Sequence, residues 1–171
     1  PGLKRGLGFA HTCERVVVTS YSIDDVSPDE PDRHPFAELA KRMDAMPSLD
    51  VRIALNIGRQ KRNDDRPPTA LIDEFRNHFV RDLWPGTRLP HVFFHPRGPD
   101  RYERAGRACL HAKCIVVDGA KAFVTSANFS GAAHERNVEL GVCIDDPRIA
   151  AAIEEELDEL ITAGVLVPLR L

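Results

Sequence analysis

Between Leu110 and Leu140 the 171-residue chain carries an imidazole, an ammonium, a hydroxyl, an amide and a carboxylate: His111, Lys113, Ser126, Asn128 and Glu139. Brought together, these groups could supply a nucleophile or proton carrier. They could also supply a cation and an amide to stabilise charge on transferring oxygens, so the chemistry requires neither a metal nor a cofactor. Clustered carboxylates of the kind that hold catalytic ion pairs are absent from the sequence near this stretch. The other histidines, His11, His34, His78, His91, His95 and His134, lack such company and are read as packing or surface residues.

What must position these side chains is a hairpin. Leu110-His111-Ala112-Lys113-Cys114-Ile115-Val116-Val117 is apolar and β-branched, so alternation puts His111 and Lys113 on one face and Cys114 and Val116 on the other. Asp118-Gly119 is a two-residue turn signal, and Ala122-Phe123-Val124-Thr125 returns as the second strand. A turn centred on that pair places Ser126 opposite His111, with Asn128 just past the strand end. Asp118 then lies roughly 20 Å from His111, because strands rise about 3.3 Å per residue, and is a turn residue rather than a catalytic carboxylate. A further strand, Asn137 to Val142, alternates so that Val138, Leu140 and Val142 are expected to face a core while Glu139 faces the other side, where it can orient an imidazole.

The pattern His111-x-Lys113, four residues, Asp118, six residues, Thr125-Ser126-Ala127-Asn128 resembles the signature of the phospholipase D superfamily, with Thr125 standing where the family usually has Gly. The resemblance implies an α/β fold, a mixed sheet flanked by helices, and phosphodiester cleavage through a phosphohistidine. It implies His111 as nucleophile, Lys113 and Asn128 as phosphate ligands, Ser126 as a hydrogen-bonding support, Glu139 as the holder of an imidazole and Asp118 as a structural member of the motif. Such cleavage calls for two imidazoles, one to attack and one to protonate the leaving oxygen. The chain has one His-x-Lys motif and no internal repeat, and family members with a single copy build a shared site across a dimer two-fold. A homodimer with the active site at that two-fold is therefore expected. Glu139 would serve the imidazole of its own subunit or of the second; the shared sheet favours its own.

The remaining chain reads as one domain spanning residues 1–171, and its start at Pro1 without Met leaves missing N-terminal sequence open. A strand at 15–21, a helix after Pro35 carrying Phe36, Leu39, Ala40, Met43 and Met46, and a strand at 51–57 form a β-α-β unit with parallel strands. A helix capped by Thr69 carries Ile72, Phe75, Phe79 and Leu83 and stops at Pro85-Gly86, with Trp84 as a packing anchor. A strand at 91–95 follows. Phe129 to His134 reads as a short, helix-like segment. Asp146-Pro147 opens a final helix that ends at Gly164, its glutamates read as a solvated face, and Val165 to Val167 reads as a last short strand.

Net charge is −3, which argues against a uniformly basic nucleic-acid binder, but the acidic residues crowd into 145–159. Basic residues cluster at Arg59, Lys61, Arg62 and Arg66 and at Arg97, Arg101, Arg104 and Arg107, in loops that follow strands. Arg62, Arg66, Arg104 and Arg107 are the candidate substrate contacts, steering a polyanion towards His111. Four cysteines without Cys-x-x-Cys spacing read as reduced, buried thiols, and with no span-length apolar run the reading is a cytoplasmic protein.

Pro47 to Arg52, Leu83-Trp84-Pro85-Gly86 with Leu89-Pro90, and the run from Leu110 to Val142 further resemble the phospholipase-D-like component of the DISARM anti-phage defence system of bacteria. That resemblance covers roughly residues 14–171 and implies a nuclease accompanied by methyltransferase and helicase-type components. The alternatives are a phospholipid hydrolase, disfavoured by the lack of a basic amphipathic helix, and a non-catalytic assembly module.

Overall fold

A computed structural model describes residues 13–23, 25, 27, 29, 34–59, 63–100, 108–130 and 136–171. Strand β1 (Arg15–Ser20) is built on three consecutive valines, whose branched side chains suit a pleated surface. It is followed by α1 (Ala37–Ala45) and by β2 (Asp50–Leu55), which pairs with it in parallel. Then come α2 (Pro68–His78), continued by a π-helical turn over Phe79–Leu83, and β3 (His91–Phe94), parallel to β2. The second half is antiparallel: β4 (Cys114–Val117), β5 (Lys121–Thr125) and β6 (Gly141–Ile144) form a meander beside β1. Helix α3 (Pro147–Thr162) and β7 (Val167–Leu169), antiparallel to β3, complete the chain. The seven-stranded mixed sheet has the order β6-β5-β4-β1-β2-β3-β7, the flanked mixed sheet expected from the sequence.

Strand alternation sorts the core into two layers. Val16, Val18, Ile53, Val92 and Ile115 face α1 and the α2 segment, where Phe36, Met43, Phe79 and Trp84 are buried. Val17, Ala54, Cys114, Val116 and Ala122 face the other way, onto Ala150 and Leu157 of α3. Trp84 is the packing anchor expected, stacked on Phe79 at 6.2 Å with its indole N–H donated to the Arg88 carbonyl.

Several boundaries depart from the sequence reading. Helix α2 begins at Pro68 with Pro67 as its cap, so Thr69 lies inside the first turn; a proline needs no N–H partner there. Pro35 lies in the turn before α1, which opens at Ala37. The last strand starts two residues later than expected, and Pro168 is tolerated because β7 is a sheet edge. The acidic face of α3 is only partly solvated: Glu154 is buried and pairs with Arg15 at 2.7 Å, and Asp158 pairs with Arg52 at 2.7 Å. Cys13 and Cys114 are buried thiols, whereas Cys109 and Cys143 are exposed.

The larger correction concerns the segment before β6. Regular pairing begins only at Gly141, and Val138 is fully exposed, with Leu140 at 79 % and Val142 at 57 %. No core awaits them, because β6 is the outer strand and α3 packs under β4 and β5 instead. Val124, which pairs with Val142, extends the exposed stripe.

The central hairpin turns where expected: Asp118 and Gly119 have φ of 53° and 59°, and the Ala120 N–H is donated to the Val117 carbonyl. Pairing then resumes as Val117 opposite Lys121, so Ala120 is an extra residue and the register moves by one. Thr125 rather than Ser126 therefore bonds back to the first strand, through its N–H to the Lys113 carbonyl. The Asp118 carboxylate accepts the N–H groups of Glu14 and Arg15, each at 2.8 Å, which locks the hairpin tip to the start of β1. Asp118→Ala removes both bonds and puts an alanine in a left-handed conformation. It is expected to cost about 2–3 kcal/mol of stability in a denaturant titration, and Asp118→Asn about half that.

Candidate active site

Four chain segments converge at one end of the sheet: the end of β1, the start of β4, the end of β5 and the stretch before β6. Strand β1 runs towards it and ends at Ser20, with Tyr21 just beyond; β4, antiparallel, starts from it, so Lys113 and His111 lie just before the first paired residue. The Lys113 ammonium sits 3.0 Å from each ring nitrogen of His111 and donates to the His111 carbonyl at 2.8 Å. Lys113 is 6 % exposed, while His111 is open to solvent. Burial holds the Lys113 ammonium below the usual lysine range, against the opposing pull of Cys109 and Glu139. Tyr21 closes the arrangement: its ring lies 5.4 Å from the imidazole, and Lys113 Nζ lies 5.7 Å from the tyrosine ring centre.

Ser126 and Glu139 form the second part. The Ser126 hydroxyl donates to Glu139 Oε2, the Leu140 N–H is donated to that hydroxyl at 3.1 Å, and the Ser126 N–H goes to the Leu140 carbonyl at 3.0 Å. The Asn137 amide donates to Glu139 Oε1 at 3.1 Å. These bonds, Ser126 first, hold the Glu139 carboxyl below its ordinary range, with Lys113 adding attraction. Gly141 permits the close passage of this segment, since a Cβ there would lie 2.6 Å from the Phe123 ring. Ser126, expected to support the site by hydrogen bonding, bonds Glu139 and Leu140. Glu139, expected to hold an imidazole of its own or of the second subunit, accepts hydrogen bonds from Ser126 and Asn137 within the chain. Among the described residues the His111 ring has its polar contact with the Lys113 ammonium, which can donate to whichever one ring nitrogen carries the lone pair.

Asn128 is half-buried, and its side-chain oxygen is buried without a hydrogen-bond partner among the described residues. A buried amide oxygen left unpaired is costly and recurs where a ligand completes the bonding. The remaining substrate-contact candidates divide. Arg66 is exposed and engaged by Asp64 at 2.6 Å and Glu74 at 2.8 Å, and Arg66 in turn holds Asp64 down at about 2. Arg62, Arg104 and Arg107 lie outside the described residues. A cavity of about 710 Å³ opens at the opposite end of the sheet, beside Asp118, Asp50, Glu154 and Asp158, and its acidic lining suits no anionic substrate. Among the described residues no group of His, Cys, Asp and Glu side chains is placed to hold a metal ion.

Tyr21 was not singled out from sequence. Its signal is its position, the residue after β1 at the end of the sheet where β4 begins, which becomes meaningful only once β1 and β4 are known to pair.

Lys113→Met is expected to lower kcat/KM on a phosphodiester by about 10²–10³, the usual loss of one aimed charge stabiliser. Thermal stability should be unchanged or higher. The cost of the buried charge is fully present below its lowered pKa and vanishes above the ordinary lysine value. For the same reason, activity that needs the ammonium should fall as pH rises through that lowered value, and Lys113→Arg should move the alkaline limb upward.

The profile described as "Cardiolipin synthase, PLD-like domain" matches residues 14–161. Among solved structures, NucT from Helicobacter pylori superposes with a TM-score of 0.52 at 17 % identity, over 90 % of this chain and 81 % of that one. Nuc from Salmonella typhimurium, a phospholipase D family member, superposes with a TM-score of 0.50 at 20 % identity, over 94 % of this chain and 85 % of that one. No curated protein sequence matches the chain. The profile spans both the parallel and the antiparallel halves of the sheet, and on that footing the chain belongs to the phospholipase-D-like family of phosphodiester-cleaving enzymes.

Proposed function

We propose that the protein is a metal-independent phosphodiesterase that cleaves nucleic acid through a phosphohistidine intermediate, working as a homodimer. The observation that carries this reading is the buried ammonium of Lys113 lodged against the solvent-open ring of His111. A cation beside a nucleophile favours an anionic electrophile. A His111 nitrogen attacks phosphorus and the bond from phosphorus to the leaving oxygen breaks. His111 of the second subunit protonates that oxygen. The same imidazole then takes a proton from water as the water oxygen displaces His111 from phosphorus. Glu139, whose oxygens accept from Ser126 and Asn137 within its own chain, keeps a further lone pair on each with which to orient an imidazole of either subunit.

The exposed stripe of Val138, Leu140, Val142 and Val124 supports the dimer. Each such side chain is worth roughly 1.5–3 kcal/mol when fully covered, and the stripe abuts the Ser126–Leu140 bonds of the site. Nucleic acid is favoured as substrate by the basic loops that follow strands, and a role in bacterial anti-phage defence, in the cytoplasm beside methyltransferase and helicase-type components, by the resemblance of the flanking segments. Phospholipid is the second reading, because the matched profile names cardiolipin synthase. Among the described residues no helix is long and apolar enough to cross a membrane.

Purified protein is expected to cleave single- or double-stranded nucleic acid in EDTA, with His111→Ala inactive; faster turnover of phosphatidylglycerol vesicles would transfer the reading to lipid. Leu140→Asp is expected to sediment as a monomer and lose activity. Mixed His111→Ala and wild-type subunits should show less activity than their wild-type fraction, and simple proportionality would oppose a shared site.

A further inference from the structure

Arg59 leaves β2 four residues beyond Leu55, and its side chain is 1 % exposed. Nη1 donates to the Asp64 carbonyl at 2.6 Å, and the nearest carboxylate oxygen, Asp64 Oδ1, is 3.8 Å away. That carboxylate is already held by Arg66. Nε and Nη2 are buried and bond to nothing among the described residues. These two nitrogens form one edge of the guanidinium, whose parallel N–H groups match two oxygens of a phosphate. Buried donors without an acceptor are expensive, so an arginine left this way needs a reason.

Its position supplies one. Strands β1 and β2 are parallel with Ser20 opposite Leu55, and β1 pairs antiparallel with β4 through Thr19 and Cys114. The chain beyond Leu55 therefore emerges at the same sheet end as His111, two strand spacings away, or roughly 10 Å across the sheet. A single strand of duplex carries one charge per about 3.4 Å of axis, so a phosphate about three nucleotides from one at His111 falls within that span. We infer that Arg59 is a second phosphate-binding residue, taking a backbone phosphate of a nucleic-acid strand a few nucleotides from the bond cleaved at His111.

This inference rests on the nuclease reading and deepens it: a site with two phosphates set apart in this way selects a polymer over an isolated diester. Because the free edge makes no hydrogen bond where it lies, turning the side chain to meet an acceptor breaks one hydrogen bond, from Nη1 to the Asp64 carbonyl, and gains two. Arg66, by contrast, is committed to Asp64 and Glu74.

The test is equilibrium binding of a fluorescein-labelled DNA strand of about 12 nucleotides to full-length His111→Ala protein, with and without Arg59→Gln, in EDTA and across ~50 to ~200 mM KCl. Arg59→Gln is expected to weaken binding about tenfold at low salt and to reduce the slope of log affinity against log salt by about 0.7–1, one phosphate contact. Arg59→Lys should restore the slope but only part of the affinity, since it keeps the charge and lacks the fork. Unchanged affinity and slope in Arg59→Gln overturn the proposal, as does weakening at constant slope with a lowered melting temperature, which makes Arg59 a packing residue. Displacement of the strand by phosphatidylglycerol vesicles at equal phosphate also overturns it, in favour of lipid. Strand binding with the Arg59 effect but no cleavage by wild-type protein overturns the nuclease reading alone.

Discussion

The pairing of β1 with β4 is the contact on which the rest depends. It joins a parallel half, β1, β2 and β3, to an antiparallel meander, β4, β5 and β6, and among the described residues it is the only strand pairing between the two. Both ends of that pairing are fastened. At one end the Asp118 carboxylate takes the first N–H groups of β1, and at the other the Thr19 hydroxyl accepts the Cys114 N–H at 3.0 Å beside the Cys114 thiol. The register so defined places Tyr21, from the parallel half, against His111 and Lys113, from the antiparallel half. A slip by one residue would turn Lys113 to the opposite face and dismantle the site.

Around that junction the molecule carries costs that only function explains. Lys113 is a buried ammonium whose charged form is disfavoured by its surroundings, and Asn128 and Arg59 hold buried polar atoms that no described residue satisfies. All three lie at or near the same sheet end. By contrast, the opposite end is electrostatically closed, with Arg15 on Glu154 and Arg52 on Asp158 and Asp50. Among the described residues, the buried side-chain polar atoms without a partner thus gather towards the sheet end where the site is proposed.

The outer strand tells a similar story in apolar terms. Alternation from Val138 to Val142 reads as a face to be buried, yet within the chain that face meets solvent. Periodicity reports that a surface wants covering, not what covers it. The same limit applied to α3: its glutamates look like a solvated face in sequence, and two acidic side chains of that helix are claimed by arginines of β1 and β2, more than a hundred residues earlier in the chain.

What the sequence determined by itself was whatever depends on local chemistry: the valine-rich strands, the Asp146-Pro147 helix start, the left-handed Asp118-Gly119 turn, and the spacing that marks His111, Lys113, Ser126, Asn128 and Glu139 as one motif. The tertiary structure decided the rest. The extra residue at Ala120 shifted the hairpin register, the edge position of β6 left its valines and leucine uncovered, and the carboxylate of Glu139 went to Ser126 and Asn137. Tyr21 entered the picture only through strand order, and Arg59, in sequence one member of a basic cluster, was set apart from the others only by its burial at that sheet end. The physical reason is common to all: each depends on which distant segment is the neighbour, and that is settled by long-range pairing and packing, to which no short window of residues has access.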